Sequence, residues 1–80
     1  MDIFFKNKKY FFDDIVKICD KNNLIIVDCL KDENMISVEE YNDGERGDCI
    51  FEFKRIGDDL FKLIWVDKIN LRIFRNKLWI

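Results

Sequence analysis

The residues of this 80-residue chain that could carry covalent chemistry are three cysteines and one serine. Catalysis by a nucleophile requires a titratable partner within hydrogen-bond reach. Ser37 is the only serine or threonine, and the chain contains no histidine, which is the usual base. Cys19, Cys29 and Cys49 therefore lack the histidine partner of a thiol enzyme. These absences predict a protein that is not an enzyme.

The cysteine spacing favours neither a disulfide framework nor a metal centre. The cysteines are odd in number, lie ten and twenty residues apart, and form no C-x-x-C pair. We interpret them as reduced thiols that act as small core side chains. We expect no cofactor and no bound metal.

The oxygen-rich segment 42–48 fits no calcium loop in either register. With Gly47 at the invariant glycine position, Gly44 and Arg46 fall where ligands belong. With Gly44 there, Tyr41 takes a ligand position and Ile50 the bidentate one. The segment is more typical of a solvated hairpin loop.

Paired carboxylates could share a proton, but each pair has a structural explanation. Asp13-Asp14 falls at the start of a predicted helix, Glu39-Glu40 on an exposed strand edge, and Asp58-Asp59 in a tight turn. None of the three pairs requires a catalytic role.

Charge is distributed unevenly along the chain. Residues 28–59 hold eleven acidic and four basic side chains, a net charge of −7, whereas the remainder carries +5. An acidic surface can dock on a basic groove, because complementary potential raises the association rate and selects the partner. The predicted partner-binding residues are Glu39, Glu40, Asp43, Glu45, Asp48, Asp58 and Asp59.

Bases beside aromatic rings near both ends of the sequence give an alternative interface. Such pairs are typical of platforms on which single-stranded nucleic acid stacks. The residues concerned are Lys8, Arg72, Arg75, Lys77 and Trp79. The net charge of −2 makes direct nucleic-acid binding the weaker prediction. Because 49% of the residues are hydrophobic, exposed rings that support a protein interface or a homodimer are also expected.

The chain is predicted to form one domain, 1–80, because its length cannot enclose a second core. Two β-rich runs, 3–5 and 10–12, flank a polar turn and predict an N-terminal hairpin. Asp13 is the predicted N-cap of a helix that runs to about Asn22. The spacing of Ile15, Ile18 and Cys19 places these side chains on its apolar face.

The rest of the sequence has strand patterns. Residues 24–30 predict a strand covered on both faces, 35–41 and 49–54 half-buried strands, and 60–66 an inner strand with Trp65 buried. The alternation changes phase near Phe74, which favours a turn or a bulge there over a short helix. The predicted fold is α+β: one short N-terminal helix on a mainly antiparallel sheet of about five to six strands.

Together these features predict a non-catalytic, acidic protein-binding module. The first residues lack the basic start of a signal peptide, so we expect a cytoplasmic protein. The most concrete hypothesis is a stoichiometric inhibitor of a nucleic-acid-processing enzyme with a basic groove. Anti-restriction, anti-CRISPR and toxin-immunity proteins use this strategy as a class. The abundance of isoleucine, lysine, asparagine and phenylalanine, with no alanine or proline, is the bias that AT-rich codons impose, and indicates an AT-rich bacterium or a phage or mobile element living in one. The alternatives are a self-associating accessory protein and the single-stranded nucleic-acid binder.

Overall fold

A five-stranded antiparallel sheet dominates the computed structural model, which describes residues 3–29, 32–42 and 45–78. The elements are β1 (Lys9–Phe11), α1 (Phe12–Lys21), β2 (Leu24–Asp28), β3 (Met35–Asn42), β4 (Glu45–Gly57), β5 (Leu60–Val66) and α2 (Lys68–Leu78). The strand order is β1-β5-β4-β3-β2. The predicted α+β class is confirmed, with β5 as an inner strand. No described helix is long and apolar enough to cross a membrane.

The N-cap of helix α1 lies two residues before the predicted one. The N-cap position belongs to Phe11, which makes no side-chain capping bond, so the prediction of Asp13 as N-cap is wrong. The N–H of Phe12 instead donates to the carbonyl of Asp59 at 2.8 Å. Asp13 and Asp14 lie in the first turn, where negative charge is favourable to the helix dipole.

The end and the buried face of α1 agree with the sequence. Asn22 is the C-cap, and Asn23 adopts a left-handed φ of 59°, which asparagine tolerates better than most residues. Ile15 and Cys19 are buried, and Ile18 packs at the margin of the core.

Only the second arm of the predicted N-terminal hairpin is a strand. The chain turns back where the N–H of Lys8 donates to the carbonyl of Phe5 at 3.2 Å, but β1 pairs with β5. Phe4 lies outside the sheet and packs edge-to-face on the rings of Tyr10, Phe51 and Phe53, at centroid distances of 5.4, 5.0 and 4.9 Å. Burying this ring stabilises the fold more than a short edge ladder would.

The core lies on one face of the sheet, to which alternate residues of the strands contribute. These are Tyr10, Leu24, Ile36, Val38, Phe51, Phe53, Phe61 and Leu63, and Ile50, the extra residue of β4 at a register shift, is buried as well. Helix α1 covers them with Ile15 and Cys19, and α2 adds Phe74 to the same cluster. Because β2 is an edge strand, its residues 25–27 are only half-buried. The prediction that this strand is covered on both faces is therefore wrong.

A bulge changes the direction of the last side chains of β5. Leu63 pairs with Phe53 and Trp65 with Glu52, so that Ile64 is an extra residue between them. Ile64 and Trp65 point away from the core and are 37% and 40% exposed. The prediction that Trp65 is buried beside Leu63 is wrong for this reason.

The C-terminal segment is a helix, so the prediction of a turn or a bulge near Phe74 is wrong. Asp67 caps α2, because its Oδ1 accepts hydrogen bonds from the N–H groups of Ile69 and Asn70 at 3.1 and 2.9 Å. The side chain of Asn70 donates to the carbonyl of Cys49 at 3.1 Å, which fastens the first turn to β4. The change of phase near Phe74 thus reflects the 3.6-residue period of a helix that already begins at Lys68.

Candidate functional site

Two of the predicted partner-binding carboxylates are buried. Glu39 and Glu40 are 6% and 7% exposed. Three consecutive residues of β3, 38–40, are buried, beside the place where the register shifts on both sides of Glu39 because β4 carries extra residues. Their interpretation as an exposed strand edge is therefore wrong.

An ion pair with α2 compensates the burial of Glu40. The Nζ of Lys77 donates to both carboxylate oxygens of Glu40, at 3.0 and 3.2 Å. The side chain of Glu40 is 9% exposed and that of Lys77 is 53% exposed. This pair joins β3 to α2, which gives both residues a role in the fold.

The other predicted carboxylates do not form one surface. Glu45 and Asp48 lie at the start of β4, whereas Asp58 and Asp59 lie in the turn after its end. All four are exposed, but the longest strand of the sheet separates the two pairs. Asp43 lies outside the described residues.

The structure instead gathers a different set of carboxylates at one end of the sheet, which we call the acidic rim. The bond from Phe12 to the carbonyl of Asp59 places the start of α1 beside the β4–β5 turn. On the other side, the N–H of Arg55 donates to the carbonyl of Asn34 at 2.6 Å, which holds the β2–β3 connection against β4. The rim consists of Asp13, Asp14, Asp28, Asp32, Glu33, Asp58 and Asp59, all of them exposed.

Two exposed apolar side chains adjoin the rim. Phe11, opposite Leu60 in the ladder, is 60% exposed. Ile56, the extra residue of a bulge next to Gly57, is 44% exposed. Apolar anchors surrounded by polar groups are typical of protein interfaces.

A row of lysines crosses the sheet on the face opposite the core. Lys9 pairs directly with Lys62, and Lys62 with Lys54, on three neighbouring strands. None of the three forms an ion pair with a described residue. Like charges directly opposite each other destabilise a sheet, so this lysine row has an unfavourable electrostatic cost.

The predicted basic interface is divided between two elements. Lys8 stands over the rings of Phe5 and Tyr10, 5.6 and 5.3 Å from their centroids, beside the edge strand β1. Arg72 and Arg75 lie instead on α2, exposed and half-buried. Of the remaining residues of this set, Lys77 pairs with Glu40, and Trp79 lies outside the described residues.

The thiols of Cys19 and Cys49 have little nucleophilic character. Burial, with a smaller contribution from the charge of Asp20, raises the pKa of Cys19 to about 12. Burial also raises the pKa of Cys49. Both are neutral at physiological pH, and a neutral thiol is a poor nucleophile and metal ligand. Within the described parts of the chain, no three acidic, cysteine or histidine side chains are arranged to hold a metal ion.

Comparison of the chain with protein-family models, curated protein sequences and solved structures found no match.

Proposed function

We propose that this chain is a non-catalytic, cytoplasmic protein-binding module that docks its acidic rim on the basic groove of a nucleic-acid-processing enzyme and inhibits the enzyme stoichiometrically. The observation that supports the proposal is the convergence of seven exposed carboxylates from four separate segments at one end of the sheet.

The rim has a suitable size and composition for such a groove. Four strand spacings of ~4.8 Å give a sheet about 19 Å wide. Enzymes that bind nucleic acid line their grooves with lysine and arginine, which neutralise phosphates. The carboxylates of the rim would bind the lysines and arginines that otherwise bind phosphates, while Phe11 and Ile56 supply apolar contacts. Anti-restriction, anti-CRISPR and immunity proteins are the classes of inhibitor to which this mode of binding belongs.

The test compares two variants that remove charge from opposite ends of the sheet. One neutralises the whole rim by Asp→Asn and Glu→Gln substitution; asparagine suits position 59, where φ is 54°. The control carries Glu45→Gln and Asp48→Asn, which removes two charges from the other end of the sheet. Both are assayed at stoichiometric ratio against a panel of restriction, RNA-guided and toxin nucleases.

We expect wild type and control to inhibit one of these enzymes and the rim variant to lose inhibition. Excess nucleic acid should relieve the inhibition, and the association rate should fall as salt rises. Equal inhibition by a folded rim variant would contradict the proposal.

The lysine row supports a second candidate function, the binding of single-stranded nucleic acid. Trp65 lies on the same face and is 40% exposed, so a base could stack on its ring while Lys54 and Lys62 contact phosphates. Glu52, directly opposite Trp65, and the nearby rim oppose this function. In a Trp79→Phe background, where Trp65 is the one remaining tryptophan, quenching of its fluorescence by an oligonucleotide, lost in Lys62→Gln and strengthened in the rim variant, would favour this function.

A further inference from the structure

The outer edge of β2 presents unused backbone hydrogen-bonding groups. The N–H of Tyr41 donates to Asn23 at 3.0 Å and the N–H of Cys29 donates to Met35 at 3.2 Å, which fixes the phase of the β2–β3 ladder. Residues 25 and 27 therefore bond to β3, and the N–H and C=O groups of residues 24, 26 and 28 point away from the sheet. No described residue bonds to these outward groups.

This edge lacks the features by which proteins prevent strand addition. The opposite edge strand, β1, has three residues and carries Lys9, and both short length and lysine discourage pairing. Strand β2 has five residues, Leu-Ile-Ile-Val-Asp, with no lysine, proline or bulge. An unprotected apolar edge of this kind is a template for another strand.

The edge is complementary to itself. If two copies of β2 run antiparallel about a two-fold axis at Ile26, Leu24 of each copy faces Asp28 of the other. The outward groups of residues 24, 26 and 28 then meet the same groups, and about six hydrogen bonds form without a register conflict. Isologous pairing of this kind uses the same patch on both copies.

Apolar side chains flank the edge on both faces of the sheet. Ile25 and Val27 are half-buried on the face opposite the core, and in the two-fold arrangement each would face the other across the seam. On the core face, an open groove of about 370 Å³ between α1 and β2 is lined by Val16, Cys19 and Leu24, among others. A second copy would shield these surfaces from water.

We propose that β2 pairs with β2 of a second copy of this chain, which joins two five-stranded sheets into one continuous sheet. This surface lies at the edge of the sheet and shares only Asp28 with the acidic rim, and the proposal does not depend on the function proposed for the rim.

The first test is the mass in solution of wild type and two lysine variants. Wild type should approach twice the 9.8 kDa monomer mass at micromolar concentration. Ile25→Lys/Val27→Lys places four ammonium groups at the seam, and we expect dimerisation at least ~10-fold weaker. The control, Phe11→Lys, adds a lysine to the other edge and should leave the dimer unchanged. A monomeric wild type, or a folded double variant that still dimerises, would overturn the proposal.

The second test uses wild type alone and does not depend on the folding of any variant. Amide hydrogen exchange at Ile26 should slow by about 10-fold or more between dilute and concentrated protein, because its N–H is bonded only in the dimer. Exchange at Ile25 should depend much less on concentration, since this N–H bonds to β3. Pairing between copies would be refuted if the amide of Ile26 is protected only when a different protein is added. It would also be refuted if this amide still exchanges fast in the dimer.

Discussion

The carboxylate of Glu40, in a residue only 7% exposed, is held by the ammonium group of Lys77 at 3.0 Å across 37 residues of sequence. The pair closes α2 onto the sheet at the end opposite its Asp67 cap. The sequence alone suggests that Glu40 is a surface residue. In the structure it joins two elements instead, because a buried carboxylate needs a partner for its charge.

Removal of Lys77 should therefore cost more than removal of an ordinary surface lysine. We expect Lys77→Met to lower the free energy of unfolding by about 1–3 kcal/mol, because it leaves a buried carboxylate without its donor. The control, Lys68→Met at the exposed start of the same helix, should change it by less than about 0.5 kcal/mol. Urea unfolding measures both, and equal values would show that Glu40 is satisfied without Lys77.

The elements that the sequence predicted correctly are those specified by a local pattern. The helical spacing of Ile15 and Cys19 was sufficient to predict α1. The inner strand β5 was predicted from Phe61 and Leu63, which lie two residues apart and so share one face. Helix α2 was not predicted, because the apolar residues that follow its cap, Asp67, also fit a strand alternation until Phe74. The burial of Trp65 was wrong because a bulge depends on how two strands pair.

The candidate site was harder to predict, because it is formed by contacts distant in sequence. Asp58 and Asp59 were correctly assigned to an exposed turn. Asp13 and Asp14 join them only because the start of α1 bonds to the β4–β5 turn, some 45 residues away. The exposure of the Glu39-Glu40 pair was predicted wrongly because β3 is an inner strand and Glu40 is covered by a helix that pairs with it from 37 residues away, neither of which the local pattern shows.

The exposure of Trp65 lowers the expected cost of its removal. Trp65→Ala should reduce the free energy of unfolding by less than about 2 kcal/mol, since 40% of the residue already contacts water. Phe53→Ala, at a position with no exposure, should cost about 3–5 kcal/mol. Chemical denaturation of the two variants checks the contrast. Equal losses would mean that the side chain of Trp65 is packed in the core.

The raised pKa of Cys19 makes the fold sensitive to alkali. Between pH 9 and its folded pKa of about 12, the unfolded state loses the thiol proton more readily than the folded state, so stability falls as pH rises. From pH 8 to pH 10 this thiol should account for about 1 kcal/mol of the loss.

The variant Cys19→Val isolates this contribution, because it retains an apolar side chain and cannot titrate. Urea unfolding at both pH values should show a smaller alkaline loss for the variant than for wild type. Equal losses would assign the alkaline sensitivity to other groups, such as the lysines.

A substitution in the lysine row should increase the stability of the fold and decrease the binding of single-stranded nucleic acid. Lys62→Glu converts two like-charge pairs, with Lys9 and Lys54, into two opposite-charge pairs, so we expect a gain of about 0.5–1 kcal/mol that shrinks as salt rises. Lys62→Gln should give about half of this gain, and Lys6→Glu, in an exposed turn, almost none. Urea unfolding at low and high salt measures all three. A loss of stability in Lys62→Glu would show that the row is not electrostatically strained.

If the row serves to bind single-stranded nucleic acid, the stabilised variant should lose oligonucleotide binding yet keep rim-dependent inhibition, which separates the two functions in one protein.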